Sequence, residues 1–172
     1  MSDFESALKD RLARNAELAE RRAAAEQQMD HAKEAAAERA RLAEKERRQA
    51  REVRHGQLTE HLRAVADGLK QASPEDFVVR MGWTQSGEEF IAKVSTRLLE
   101  PARTLFIELD RDDDEVLVRW NSGVGRALEL WRLLEVSPEM LSTLVLQVAD
   151  QALWRGAGAP PPFPRAQDEA GD

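Results

Sequence analysis

Residues 1–55 contain no glycine, no proline and no tryptophan, but 14 alanines and 25 charged side chains. Ala, Glu, Lys, Arg, Gln and Leu lose little side-chain freedom in a helix and none of them breaks one. A run this long therefore has essentially one regular structure open to it. The composition predicts a single helix over 3–54, interrupted at Gly56, and at ~1.5 Å per residue it would reach roughly 80 Å. Opposite charges recur at helical spacing, as in Glu17–Arg21 and Glu44–Arg48, and such pairs add ~0.2–0.5 kcal/mol each to an isolated helix.

What this helix would pack against is less obvious. Its large apolar residues are few: Phe4, Leu8, Leu12, Leu18, Met29, Leu42 and Val53. Alanines at spacings of three and four fill the gaps, as in Leu12, Ala16, Ala19, Ala23 and in Ala25, Met29, Ala32, Ala36. That is a thin seam, unlike the branched aliphatic positions of a zipper. A self-associating coiled coil and an isolated charged helix both fit the middle of the rod. The first turns point to contact, because Phe4, Leu8 and Leu12 form an apolar stripe at i, i+4 and i+8. These three are the candidate interaction residues.

The remainder of the chain is of another kind. Residues 56–172 hold all nine glycines, all seven prolines and all four tryptophans. There 12 Lys/Arg stand against 20 Asp/Glu, a balance of −8, whereas residues 1–55 balance 13 against 12. The domain organisation expected is a charged Ala-rich helix or coiled coil over 1–55, a small α+β domain over 56–155 and a disordered Pro/Gly/acidic tail over 156–172. Acidity on that scale repels phosphate backbones, and each arginine of the rod has a carboxylate near it, so no nucleic-acid partner is expected. Zero cysteines remove disulfides, thiolate metal sites and thiol nucleophiles. There is no apolar run of membrane-spanning length, and "MSDFESALKD" lacks the core of a signal peptide. The expectation is a cytoplasmic protein with no membrane partner.

Within 56–155, Leu58, Leu62, Val65 and Leu69 share one face of a second helix restarting after Gly56. "SPED" at 73–76 could cap another helix, but "FVVRMGW" is β-branched and carries Gly82, so it reads as a strand, paired with "EEFIAKVS" across the turn-like "TQSG". "TLFIELD" with "EVLVRW" reads as a second pair, since their apolar residues alternate. Residues 126–136, "RALELWRLLEV", read as a helix on Ala127, Leu130, Trp131 and Leu134, because Arg132 breaks the strand alternation of Leu128 and Leu130. Ser137 caps a last helix with Pro138 at its first position and Glu139 against its dipole. The fold class is α+β: a long N-terminal helix, then a four-stranded antiparallel sheet covered by helices.

Motifs that could carry chemistry fail on their details. In "IELDRDDDEVLVRW", Asp110, Asp112 and Asp114 match the first three ligand positions of an EF-hand loop. Position 6 is Glu115 where Gly is needed and position 12 is Asn121 where Glu is needed, and strands flank it. The stretch is a hairpin turn. "NSGVGR" (121–126) lacks the third glycine of a dinucleotide fingerprint and the Lys-Ser/Thr of a P-loop, so it reads as a tight connection. His31 shares a face with Glu34 and Glu38 on the rod, and His55 and His61 flank Gly56 without zinc spacing. Glu88, Glu89, Glu108, Glu129 and Glu135 could converge as paired carboxylates, though no spacing demands it. Trp83, Trp120, Trp131 and Trp154 sit in apolar elements and are expected in the core, with a ligand pocket among them as the competing reading. "PPPFPR" could dock an aromatic groove, but reads first as a solubilising tail.

No catalytic residue, cofactor or metal is therefore expected. The sequence suggests a non-enzymatic scaffold or adaptor, whose rod assembles with another protein or a second copy through Phe4, Leu8 and Leu12, and whose domain docks. The alternative is a small-ligand-binding or enzymatic accessory domain with a helical oligomerisation arm.

Overall fold

The computed structural model describes residues 2–165. The chain divides into two units, residues 1–47 and residues 48–172. Helix α1 spans Ser2–Ala72 and belongs to both. The expected interruption at Gly56 does not occur. One glycine inside a helix costs ~1 kcal/mol relative to Ala, and here the residues around it are anchored: His55, Leu58, Thr59 and Leu62 are all buried. Contacts of that kind outweigh a single weak position.

In the first unit, the helical residues from Ser2 to Arg47 are exposed throughout. They are laced by local ion pairs, Arg21–Glu17 at 3.3 Å, Arg41–Glu38 at 2.7 Å and Arg47–Glu44 at 3.0 Å. Arg41 holds the Glu38 carboxyl below its ordinary range.

The second unit is built on an antiparallel meander in the order β1-β2-β3-β4-β5. Its strands are β1 Phe77–Trp83, β2 Glu89–Thr96, β3 Arg103–Asp110, β4 Glu115–Ser122 and β5 Gly125–Trp131. The expected four strands are thus five, and the expected helix over 126–136 is a strand followed by a 3-10 turn, Leu133–Glu135. The run 125–131 is short enough to fit either period. What decides it is the connection from β4. Gly123 and Val124 form a two-residue turn, Gly125 adopts φ +131°, and Ser122 Oγ donates to Gly125 O at 2.7 Å. That closes a hairpin, and the edge of β4 then satisfies the backbone of the next seven residues.

Register sets the two faces of the sheet. Phe90, Ala92, Val94, Leu105, Ile107, Leu109, Val116, Val118 and Trp120 are buried on one face. Against it pack Leu58, Leu62 and Ala66 of α1, and Met140, Leu141, Leu144, Val145 and Val148 of α2, Pro138–Ala149. Ser137 caps α2 as its sequence predicts, Oγ accepting from Met140 N at 3.3 Å. The other face carries Phe106, Leu117, Arg119, Leu128 and Leu130, none of them fully buried.

Two details lock the far end. Asp150 stops α2 and caps a short helix α3, Gln151–Trp154. Arg103 is 1% exposed. Its Nε and Nη2 donate to Val148 O at 3.0 and 2.8 Å, and its Nη1 donates to Pro101 O and to Gln151 Oε1. A buried cation thus takes up the open carbonyl at the end of α2, where the helix dipole favours it. Burial lowers its pKa, and Asp150 counteracts this.

Beyond α3, the Pro-rich segment has contacts that its composition does not announce. Pro160 lies 3.5 Å from where a Cβ on Gly125 would sit, Gln147 Nε2 donates to Pro162 O at 3.3 Å, and the Phe163 ring meets Trp131 at 90°. The expected tail extends to 172, and its acidic end, 166–172, lies outside the described residues.

Candidate functional site

The candidate interaction residues stand on the first unit as one stripe. Phe4 is 68% exposed, Leu8 44% and Leu12 56%. Helical spacing places them on adjacent turns of one face, and among the described residues no side chain in their unit covers them. Leu18, Met29 and Leu42 are exposed as well.

In the second unit, the acidic hairpin is a four-residue connection between β3 and β4, as its spacing predicts. Two of its carboxylates, Asp110 and Asp114, accept from backbone N–H groups. Asp110 Oδ1 accepts from the backbone N of Asp112 and of Asp113, each at 3.1 Å. Asp114 adopts φ 51°, its Oδ1 accepts from Leu133 N at 3.1 Å, and Arg132 approaches its Oδ2 at 3.7 Å. Asn and Asp tolerate that left-handed geometry better than other side chains.

Some of the five carboxylates singled out by sequence do converge. Glu88, Glu89 and Glu108 gather beside this hairpin, while Glu129 and Glu135 flank Trp131. The crowding shows in their protonation. The Glu88 carboxyl is raised by its neighbour Asp112, and that of Asp113 by Asp110. Burial, then Glu89, raises that of Glu108. Among the described residues, no three His, Cys, Asp or Glu side chains are gathered so as to hold a metal ion.

The other motifs fall into structural roles. "NSGVGR" is the β4–β5 turn with no helix after it, so its glycines do not present backbone N–H groups at a helix N-terminus. His55 Nε2 lies 2.9 Å from Leu109 O, and His61 Nε2 lies 2.6 Å from Ser142 Oγ, so both tie the part of α1 within the second unit to β3 and α2. Arg54 Nη1 does the same through Val136 O at 2.6 Å. The tryptophans do not surround one pocket. Trp120 and Trp154 stack edge-to-face in the core, Trp83 packs with His55 and Phe90, and Trp131 lies between two clefts.

One surface was not visible from the sequence: an apolar groove of about 410 Å³ between the last turns of α1 and α2, lined by Val65, Leu69, Val145 and Leu146. Leu146 is 67% exposed and stands off the buried stripe of its own helix. That irregularity was the available signal. Polar groups barely enter the groove, Ser142 apart, so it lacks the convergent donors and acceptors that orient a small substrate.

Among the described residues no helix is long and apolar enough to cross a membrane. The chain matches no protein-family model, no curated protein and no solved structure in the comparisons made.

Proposed function

We propose that this is a non-enzymatic interaction protein of the cytoplasm, a scaffold or adaptor that assembles through its N-terminal helix and docks through its compact unit. The partner of the helix is a second copy of the chain or a helix of another protein. One observation carries this reading: the helical residues from Ser2 to Arg47 lack any burial, and yet the segment bears the Phe4, Leu8 and Leu12 stripe. Burying a large apolar side chain fully is worth ~1.5–3 kcal/mol. Three of them, extended by the alanine seam, supply modest association once the helix is already formed.

The compact unit supports the non-enzymatic half of the reading. Its two histidines bond to β3 and α2, its tryptophans are divided among separate sites, and Asp110 of the acidic hairpin accepts from the turn's own backbone. The experiment is light scattering on the full chain and on a Leu8→Asp, Leu12→Asp variant. Concentration-dependent association in the first and its loss in the second are expected. Unchanged association in the variant would remove the stripe from the interface.

A further inference from the structure

Trp131 ends β5 between two adjoining clefts. One, of about 610 Å³, is lined by Glu129, Trp131, Glu135, Phe163 and Arg165 among others. The second, of about 400 Å³, shares Trp131 and Glu135 and adds Asp113, Asp114, Glu115 and Arg132. Five acidic and two arginine residues thus line the two clefts, with Arg132 3.7 Å from Asp114, around a pair of aromatic rings that meet at 90° with centroids 6.1 Å apart.

We propose that these joined clefts dock a basic, extended segment of a partner protein, its lysine or arginine side chains lying against Trp131 and Phe163 and pairing with Glu129 and Asp113. The inference rests on the reading of the compact unit as a docking module and supplies its surface and the chemistry of its partner.

Three features favour a cationic peptide. Aromatic faces attract ammonium and guanidinium groups, more strongly as water is excluded. The acidic lining is complementary to such a segment and repels nucleic acid. The unit, residues 48–172, carries 15 Lys/Arg against 21 Asp/Glu, a field that steers a basic partner toward it. Asp113 adds a local reason, because Asp110 beside it holds its carboxyl above the ordinary range. A cation opposite that pair relieves the repulsion. Two clefts meeting at one tryptophan also offer length, which suits a segment better than a single ion.

The test is calorimetric titration of the full chain with hexalysine, and with hexaglutamate as the opposite-charge control. Wild type is expected to bind hexalysine and to ignore hexaglutamate. Glu129→Lys is expected to weaken binding by about tenfold, the scale of one lost charge pair at a partly desolvated site. Phe163→Ala should weaken it as well. Glu75→Lys makes the same charge change beside β1, at the opposite edge of the sheet, and should leave the affinity unchanged. Circular dichroism confirms that each variant is folded. Absence of hexalysine binding would overturn the proposal. So would equal weakening by Glu75→Lys, which signals attraction to net charge alone, or weakening by Glu89→Lys without any by Glu129→Lys, which moves the site to the hairpin end. Each of these three outcomes leaves the association of the helix, read by light scattering, standing on its own evidence.

Discussion

The helix of residues 2–47 and the compact unit that follows solve the folding problem by opposite means. The first is held by backbone propensity and local ion pairs, with all its side chains in water. The second is held by burial: Trp120, Trp154, Phe90 and a dozen aliphatic side chains are removed from solvent between a sheet and two helices. A residue in the helix feels only its neighbours one turn away, whereas a residue in the compact unit feels the whole core. Substitutions should therefore have very different effects in the two regions, and that difference can be measured.

The largest effect is expected from Trp120→Ala, which empties the centre of the core and should destabilise the compact unit by ~3–5 kcal/mol. Thermal unfolding followed by tryptophan fluorescence checks it. A cost below ~1 kcal/mol would mean that the core does not depend on its largest member. Gly125→Ala comes next. Its φ of +131° lies where a side chain is strained, although Pro160 at 3.5 Å would be only in ordinary contact with the added Cβ, so a loss of ~1–3 kcal/mol is expected from the backbone alone. By contrast, Gly56→Ala meets nothing within 4 Å on α1 and should stabilise by about 1 kcal/mol. The opposite signs of these two glycine substitutions in chemical denaturation would confirm that Gly56 is merely tolerated and Gly125 is required.

The smallest effect concerns charge. The Glu108 carboxyl titrates above its ordinary range in the folded chain, through burial and then through Glu89. The folded state thus holds that proton at a pH where the unfolded state has lost it, so stability rises as pH falls through the interval between the two pKa values. Glu108→Gln removes the repulsion at neutral pH. It should raise stability there by less than ~1 kcal/mol, since solvent screens a group this exposed, and should flatten the pH dependence just above the ordinary carboxylate range. A variant less stable than wild type at neutral pH would show that Glu108 is engaged favourably.

The same contrast explains what could be read from the sequence. The helix was legible because helix propensity is local and additive, and 13 alanines in residues 2–47 leave little to tertiary context. Strands β3 and β4 were legible through alternation, as in Leu105, Ile107 and Leu109 against Phe106 and Glu108, and β1 and β2 through β-branched residues and the turn between them. Strand β5 was not, because its seven residues fit two periods and the choice between them is made by the Gly123–Val124 turn and the free edge of β4. The continuity of α1 through Gly56 was missed for a related reason, since contacts of His55 and Leu58 with distant residues hold that turn. Phe4, Leu8 and Leu12 could be picked from spacing alone. The clefts beside Trp131 could not, because they bring together residues from the hairpin at 113–115, the end of β5 and the Pro-rich segment.

The central claim is that assembly belongs to the helix and folding to the compact unit. The direct measurement compares the full chain with a fragment beginning at Arg48, by light scattering over a concentration series with thermal unfolding of each. The cut falls before Arg54 and His55, whose bonds to Val136 O and Leu109 O anchor α1 to the compact unit. The full chain is expected to form a concentration-dependent dimer, and the fragment to be a monomer that still unfolds cooperatively. A fragment that stays oligomeric, or that loses its cooperative transition while the full chain keeps it, would contradict the account.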